Sequence, residues 1–321
     1  MRKTLLFILC VAMLFSCAKK NVNVKQIKKS TIDSITDLNS LKAFVKTVDS
    51  TLKDFTCVSP HVYKNEELAS SPVKQKLDSM IPKTDYIKAD LDGNGLMDLV
   101  ITGETQFSFH VLALMSLGEE QYKIIPLSSP RIYNQFPIYT KLVTKNDSPI
   151  IELYKKRTTF KDQKIDKSSL VYKDGTFVEY QDKFANYQIT KIEFGTTGCF
   201  GTCPVFDLTL VPEGKSLFEA KYYNFSQNLG ERKEEEGDFE AVIKPSDFNA
   251  IVQMMNEMNI KDLESSYTVS WTDDQTAKLK ISFADGSMKY IQDYGMQGTR
   301  GLKILYQKLL ALRFNQDWER I

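Results

Sequence analysis

Histidine is almost missing from this chain, with only His61 and His110 in 321 residues, and cysteine is scarce at five. Tetrahedral zinc or an iron–sulfur cluster draws on about four nitrogen or sulfur ligands. Beyond the N-terminal run that set would be Cys57, Cys199, Cys203, His61 and His110, which lie in distant stretches. A nucleophile activated by a neighbouring histidine is likewise not written into any local motif. Long apolar runs are also lacking. The longest, Leu5 to Phe15, has 11 residues, short of the ~20 that a membrane-spanning helix needs. Nor is there an excess of either charge, with Lys+Arg at 42 against Asp+Glu at 41. This removes the electrostatic reason to expect a nucleic-acid partner. No short-period repeat is visible, and hydrophobic residues at 42% with charged residues at 26% are ordinary for globular protein and exclude disorder as the main state.

What is there begins at the N-terminus. Arg2 and Lys3, then the apolar run, then Ser16-Cys17 form a secretion signal. "LFSC" at 14–17 resembles the lipobox of bacterial lipoproteins. The resemblance implies removal of residues 1–16 as a signal peptide and a lipid on Cys17; the alternative is ordinary signal cleavage that leaves Cys17 a thiol. Acyl chains contribute about 0.8 kcal/mol per buried CH₂, so several would hold a soluble domain on a bilayer. Residues 17–30 then read as a flexible tether whose lysines, among them Lys19, Lys20 and Lys25, lie near anionic headgroups. Some surface-exported lipoproteins carry acids directly after the lipidated cysteine. Lys19 and Lys20 are the opposite, and the expected location is the outer membrane, lipid-anchored and facing the periplasm.

The remaining length exceeds one typical domain, and the pattern restarts near residue 185. The expectation is an α+β protein of two domains, 31–186 and 187–321, each a mostly antiparallel sheet with two packed helices. In the first, Leu41, Phe44, Val45, Val48, Leu52 and Phe55 recur at helical spacing over 39–55, with Asn39 or Ser40 as the cap. A weaker helical stretch spans about 64–81. Short β-rich runs follow, from "DYIKAD" to "TFVEYQ", broken by "GEE", "KNDS" and "KDG"; they read as one meandering sheet with the early helices on one face. In the second, strands precede a helix opened by Pro245. A hairpin then turns at Asp285-Gly286, and a closing helix spans Leu302 to Leu312.

The sharpest local signal is "DLDGNGLMD" at 90–98. Asp90, Asp92 and Asn94 stand at positions 1, 3 and 5, Gly95 makes the turn, Leu96 offers its carbonyl, and Asp98 stands at 9. Calcium takes six to eight hard oxygens at one point, and this spacing wraps them round an ion. The run resembles the first part of an EF-hand loop, but position 12 is Ile101 instead of the bidentate glutamate. With the following strand it also resembles the Asp-rich loops of integrin-type repeats, here in one copy. Calcium is the one cofactor expected, against an Asx-rich turn that needs no ion.

"GCFGTCPVF" at 198–206 holds Cys199 and Cys203. Four residues of straight strand would keep their Cα atoms about 13 Å apart, too far for a disulfide, but Gly201 lets the chain fold back. An oxidising compartment favours a bridge; a redox pair, unpaired thiols and a metal site stay open as alternatives. A thioredoxin-like site would need two intervening residues and a helix, whereas Pro204 biases Cys203 away from helix. Cys57 reads as a small buried apolar residue. This motif, the helix near 245–258, "YTVSWTDDQTAKLKISFADGSMKYIQDYG" and the terminal leucine helix together resemble, over 188–319, a domain of unknown function of bacterial lipoproteins marked by Cys-Phe-Gly-x-Cys-Pro. The resemblance implies the domain boundary and the cysteine motif, and no reaction. Gly295, Gly298, Gly301 and Arg300 precede that helix where backbone N–H groups could hold an anion, although a flexible connection is the commoner meaning. The charged run 231–238 reads as a solvated edge.

The functional expectation is a membrane-tethered, non-enzymatic binding or scaffolding protein of the cell envelope. Its partners would be the membrane, through Cys17, and an envelope protein or glycan, with no nucleic acid. The alternative is an envelope enzyme, either a metal-assisted hydrolase on Asp90, Asp92 and Asp98 or a thiol enzyme on Cys199 and Cys203.

Overall fold

A computed structural model of the chain describes residues 30–63, 71–105, 108–128, 136–156, 164–224, 236–269 and 271–321. The expected signal peptide, Cys17, the expected tether up to residue 29 and most of the 231–238 run lie outside the described residues. So does the stretch 64–70 of the second expected helix.

The first helix, α1 (Leu38–Val48), is capped by Asp37, whose carboxylate accepts from the Ser40 amide at 2.8 Å. It stops seven residues short of the expected end because Asp49 takes an extended conformation and caps a separate 3-10 turn, Ser50–Leu52. Leu52 and Phe55 stay buried beside Leu41, Phe44 and Val45, so the periodicity reported a shared face and not one continuous helix. A two-residue strand, β1 (Thr56–Cys57), follows and was not anticipated. Next is α2 (Pro72–Met80), opened by Pro72 in its first turn, where the missing N–H has no partner to lose.

All eight expected strands of this half are present as β2 (Tyr86–Ala89), β3 (Asp98–Thr105), β4 (Ser108–Gly118), β5 (Gln121–Pro126), β6 (Tyr139–Lys145), β7 (Ser148–Lys156), β8 (Ile165–Lys173) and β9 (Thr176–Glu179). They do not form one meander. β1 and β2 pair with successive stretches of β3, which continues to β4 and β5; β6 to β9 form a second sheet. Leu99, Ile101, Leu112 and Leu114 pack with α1, while the alternating Val100, Val111, Ala113 and Met115 pack against Ile151, Leu153, Leu170 and Phe177 of the second sheet. α2 covers Tyr139 and Tyr154 of that second sheet. The layers are therefore helix, sheet, sheet, helix, and the helices lie on opposite outer faces, a correction to the single sheet with both helices on one side. The physical reason is that β3 and β4 are buried on both faces, and such strands read as unbroken apolar runs. At Gly103 a Cβ would come within 2.4 Å of the Thr56 carbonyl and 2.5 Å of the Phe55 ring, so only glycine lets β1 close on β3.

The second half forms an eight-stranded sheet from β10 (Ile189–Thr196), β11 (Val205–Leu210), β12 (Ser216–Tyr222), β13 (Gly237–Ala241), β14 (Ser266–Thr268), β15 (Thr276–Phe283), β16 (Met288–Tyr294) and β17 (Glu319–Arg320). Their order is β14-β16-β15-β10-β11-β12-β13-β17, antiparallel except where β14 runs parallel to β16. Two helices, α3 (Pro245–Glu257) and α4 (Arg300–Asn315), pack on it through Ile251, Met255, Leu302, Leu305 and Leu309. The whole is mixed α+β and sheet-rich. Every buried residue in the core of the second half lies between Ile189 and Leu312, and those of the other three clusters between Ile32 and Phe177. No described helix is long and apolar enough to cross a membrane.

Candidate functional sites

The Asp-rich loop joins β2 to β3, and its side chains fold inward on its own backbone. Asp90 Oδ2 accepts from the Gly95 amide at 3.0 Å and Asp92 Oδ1 from the Asn94 amide at 3.0 Å. Gly95 supplies the left-handed φ of 87° that the turn requires. Asp98 is fully buried and accepts from Leu91 and Ser116, both at 2.8 Å, tying the loop to β4. Asp90, Asp92 and Asp98 can each offer an oxygen within 4.8 Å of the others. Asn94 is engaged otherwise. Its amide nitrogen donates to Asp92 Oδ2 at 3.2 Å and to the Ser116 carbonyl at 2.8 Å, while its oxygen accepts from Leu96 N at 2.7 Å. Asp90 Oδ1 is buried with no hydrogen-bond partner among the described residues.

Burial pushes the Asp98 carboxyl up to about 7, with the negative Asp92 and Asp90 adding to the rise against two amide donations that oppose it. Asp92 is also raised, chiefly by burial and then by Asp90. Carboxylates driven together out of water need either protons or a cation. Three hard oxygen donors, one of them unpartnered, fit calcium better than a soft metal, the remaining oxygens coming from main chain or water.

Cys199 and Cys203 form a disulfide, with Cα atoms 5.7 Å apart. The chain folds back between β10 and β11, where Gly201 at φ 149° donates to the Cys199 carbonyl at 2.9 Å. The loop is braced from beneath by buried Gln275, whose amide donates to the carbonyls of Thr197 at 3.0 Å and Pro204 at 2.6 Å. The tip residue Phe200 is 93% exposed. Cys57 is buried, and burial pushes its thiol up to about 11, which leaves it protonated and unreactive at neutral pH.

Backbone N–H groups before α4 and in its first turn are taken up by carboxyl groups of the chain itself. Asp293 accepts from Gln297 at 3.2 Å and Gly298 at 2.8 Å. Glu179, at the end of β9, accepts from Arg300 N at 2.8 Å and Gly301 N at 3.0 Å. Sequence reasoning named this loop and missed its occupant, because Glu179 lies more than a hundred residues away and carries no local signal.

A second constellation went unread. Buried Lys74 on α2 donates to Asp78 at 2.8 Å, Tyr139 donates to Asp78 at 2.7 Å, and His61 Nδ1 lies 3.1 Å from the same carboxylate. Burial pushes Asp78 up, but donation from Lys74 and Tyr139 with the charges of Lys74 and His61 outweighs it and holds the carboxyl below its ordinary value. The i,i+4 spacing of Lys74 and Asp78 was the available signal. The group pins α2 to the second sheet.

A cavity of about 420 Å³ lies between the β8–β9 hairpin and the helices of the second half. Neither it nor the other described cavities are lined by the aspartates of the loop or by the cysteine pair.

Fold and sites together define a sheet-rich α+β protein with a disulfide-closed loop and an inward-folded acidic loop. Comparison with known proteins adds one assignment. Residues 190–313 match DUF6438, a domain of unknown function, within the stretch read from the Cys-Phe-Gly-x-Cys-Pro motif and the elements after it. No curated protein and no solved structure matches the chain.

Proposed function

We propose that the chain is a lipid-anchored protein of the cell envelope that binds or scaffolds a partner, an envelope protein or glycan, and does not catalyse a reaction. It would hang from Cys17 on a basic tether, on the outer membrane and facing the periplasm, as two domains, 31–186 and 187–321. The observation that carries the binding reading is that both chemistry-bearing clusters sit in turns outside the described cavities and are already committed. The Cys199 and Cys203 sulfurs are joined to each other, which withdraws the thiol nucleophile. Both Asp98 oxygens are held by backbone amides, which suits a brace better than a general base. Separate hydrophobic cores on either side of residue 186 support the domain division.

Calcium, in this reading, ties Asp90, Asp92 and Asp98 together and stiffens the β2–β3 connection. Millimolar calcium should then raise the melting temperature by a few degrees, since saturation at about ten times Kd stabilises by about 1.4 kcal/mol. The response should vanish in Asp92→Ala, and an unresponsive wild type would refute the site. The envelope reading is tested by mass analysis of the protein from its native membrane fraction, followed by crosslinking there. A lipid-modified Cys17 peptide and one recurrent crosslinked partner are expected. An unmodified Cys17 thiol would remove the anchor, and turnover of an envelope substrate lost on mutation of Asp92 would overturn the non-enzymatic reading.

A further inference from the structure

The cavity of about 420 Å³ between the two halves falls in the range of small-molecule sites. Its walls are apolar and aromatic. Val171, Tyr172 and Val178 come from the β8–β9 hairpin, Phe184 from the segment after it, and Met254 and Met258 from α3 and its end. Among the described residues its charge is one-sided: Asp174, Glu179, Asp182 and Glu257 line it against Lys173. Glu257 pairs with Lys173, Asp182 with Lys145 at 3.9 Å, and Glu179 is held by the α4 amides, which leaves Asp174 as the carboxylate with no ion pair among the described residues.

Two details sharpen the class of ligand. The chain's own ammonium groups already sit at the cleft between an aromatic face and a carboxylate. Lys173 Nζ lies 5.6 Å from the Phe184 ring and 2.5 Å from Glu257, and Lys145 Nζ lies 5.0 Å from the Tyr180 ring beside Asp182. An aromatic face with a carboxylate at its edge is the standard receptor for an organic cation. Meanwhile the α4 N-terminus, which would attract an anion, is occupied by Glu179.

We propose that this cleft binds a small organic cation, an amine carried on an aromatic or branched apolar body. The apolar body fills the space between the valines and methionines, and the ammonium lies over Phe184 on the acidic side of the cleft. This deepens the binding reading given above and names its ligand class.

The test uses the mature full-length chain and three probes that share one ring system and differ in charge: tryptamine, indole and indole-3-acetate, titrated calorimetrically at neutral pH. Tryptamine should bind tighter than indole by about two- to fivefold, the value of one cation–π contact, and indole-3-acetate should bind weakest. Phe184→Ala, at a side chain 68% exposed whose loss leaves the melting temperature unchanged, should bring tryptamine down to the level of indole. Val178→Trp should fill the cleft and abolish all binding; if it lowers the melting temperature instead, Phe184→Ala decides alone. Equal or reversed affinities, no binding of any probe at millimolar concentration, or unaltered tryptamine binding in Phe184→Ala would each overturn the proposal. A crosslinked envelope partner recovered alongside such a result would leave the scaffolding reading standing and remove the cleft alone.

Discussion

At the scale of single residues the fold spends its polar groups on bracing, and Asp98 is the case with a measurable signature. A carboxyl that titrates at about 3.9 when unfolded and about 7 when folded keeps its proton in the fold across that window, after the unfolded chain has lost it. The folded state then binds more protons, so stability from this group falls as pH rises from about 4 to about 7 and is level above that. In calcium-free buffer, the difference in melting temperature between the wild type and Asp98→Asn, which cannot titrate, should shrink or reverse across this window. With calcium present the decline should be suppressed, because the ion takes the place of the proton beside Asp90 and Asp92. A pH-independent difference would mean that Asp98 is charged throughout. The Asp-rich spacing was legible in the sequence, and the fold brings its three carboxylates within 4.8 Å of one another. The engagement of Asn94 with Asp92 and Ser116 was not legible, since the Ser116 carbonyl arrives from β4 and only the fold brings it there.

At the scale of elements, the disulfide loop and the start of α4 show how turns are held. Closing a loop as small as Cys199–Cys203 stabilises by ~2 kcal/mol on the chain-entropy model. The double variant Cys199→Ser/Cys203→Ser should lose about that much in chemical denaturation and remain folded, because Gln275 still ties Thr197 to Pro204. A loss well above this would mean that the bridge, and not Gln275, positions β10 against β11. Beside the Thr299 cap, whose hydroxyl accepts from Leu302 N at 3.0 Å, the start of α4 has a more unusual device, a carboxylate lent by a strand of the other half. Glu179→Ala leaves two first-turn amides without their acceptor and should cost about 1 kcal/mol, with Glu179→Gln intermediate because it keeps one acceptor oxygen. Equal stability of all three would show that water replaces the carboxylate. Strand positions were readable from period-2 alternation and turn dipeptides such as Asp285-Gly286. Pairing was not, and β14 shows why: its parallel partner β16 follows in sequence only after β15, and no short-range signal separates a parallel edge from an irregular loop.

At the scale of the whole molecule the open question is how far the halves depend on each other. Length and the restart of the pattern near residue 185 led to the expectation of two units. No buried cluster among the described residues spans that point. The layering of the first unit was hidden, because β3 and β4 are buried on both faces and an unbroken apolar strand does not say what covers it. Specific polar contacts between the halves include Glu179 with α4, Lys173 with Glu257, and the Ala185 amide with the Asn256 carbonyl at 3.1 Å. The half-buried ion pair adds about 1 kcal/mol, and the Glu179 carboxylate a similar amount. A fragment spanning 187–321 should therefore fold alone, form the Cys199–Cys203 bridge, melt cooperatively, and fall short of the full chain by no more than about 2 kcal/mol. Glu179→Ala in the full chain should reproduce about half of that deficit, since the fragment lacks the same carboxylate. A fragment that aggregates or melts without cooperativity would instead make the junction, with its cleft, part of a single folding unit. Ligand binding there would then stabilise both halves together, and a calorimetric scan of the full chain with and without tryptamine would show one transition moving instead of one of two.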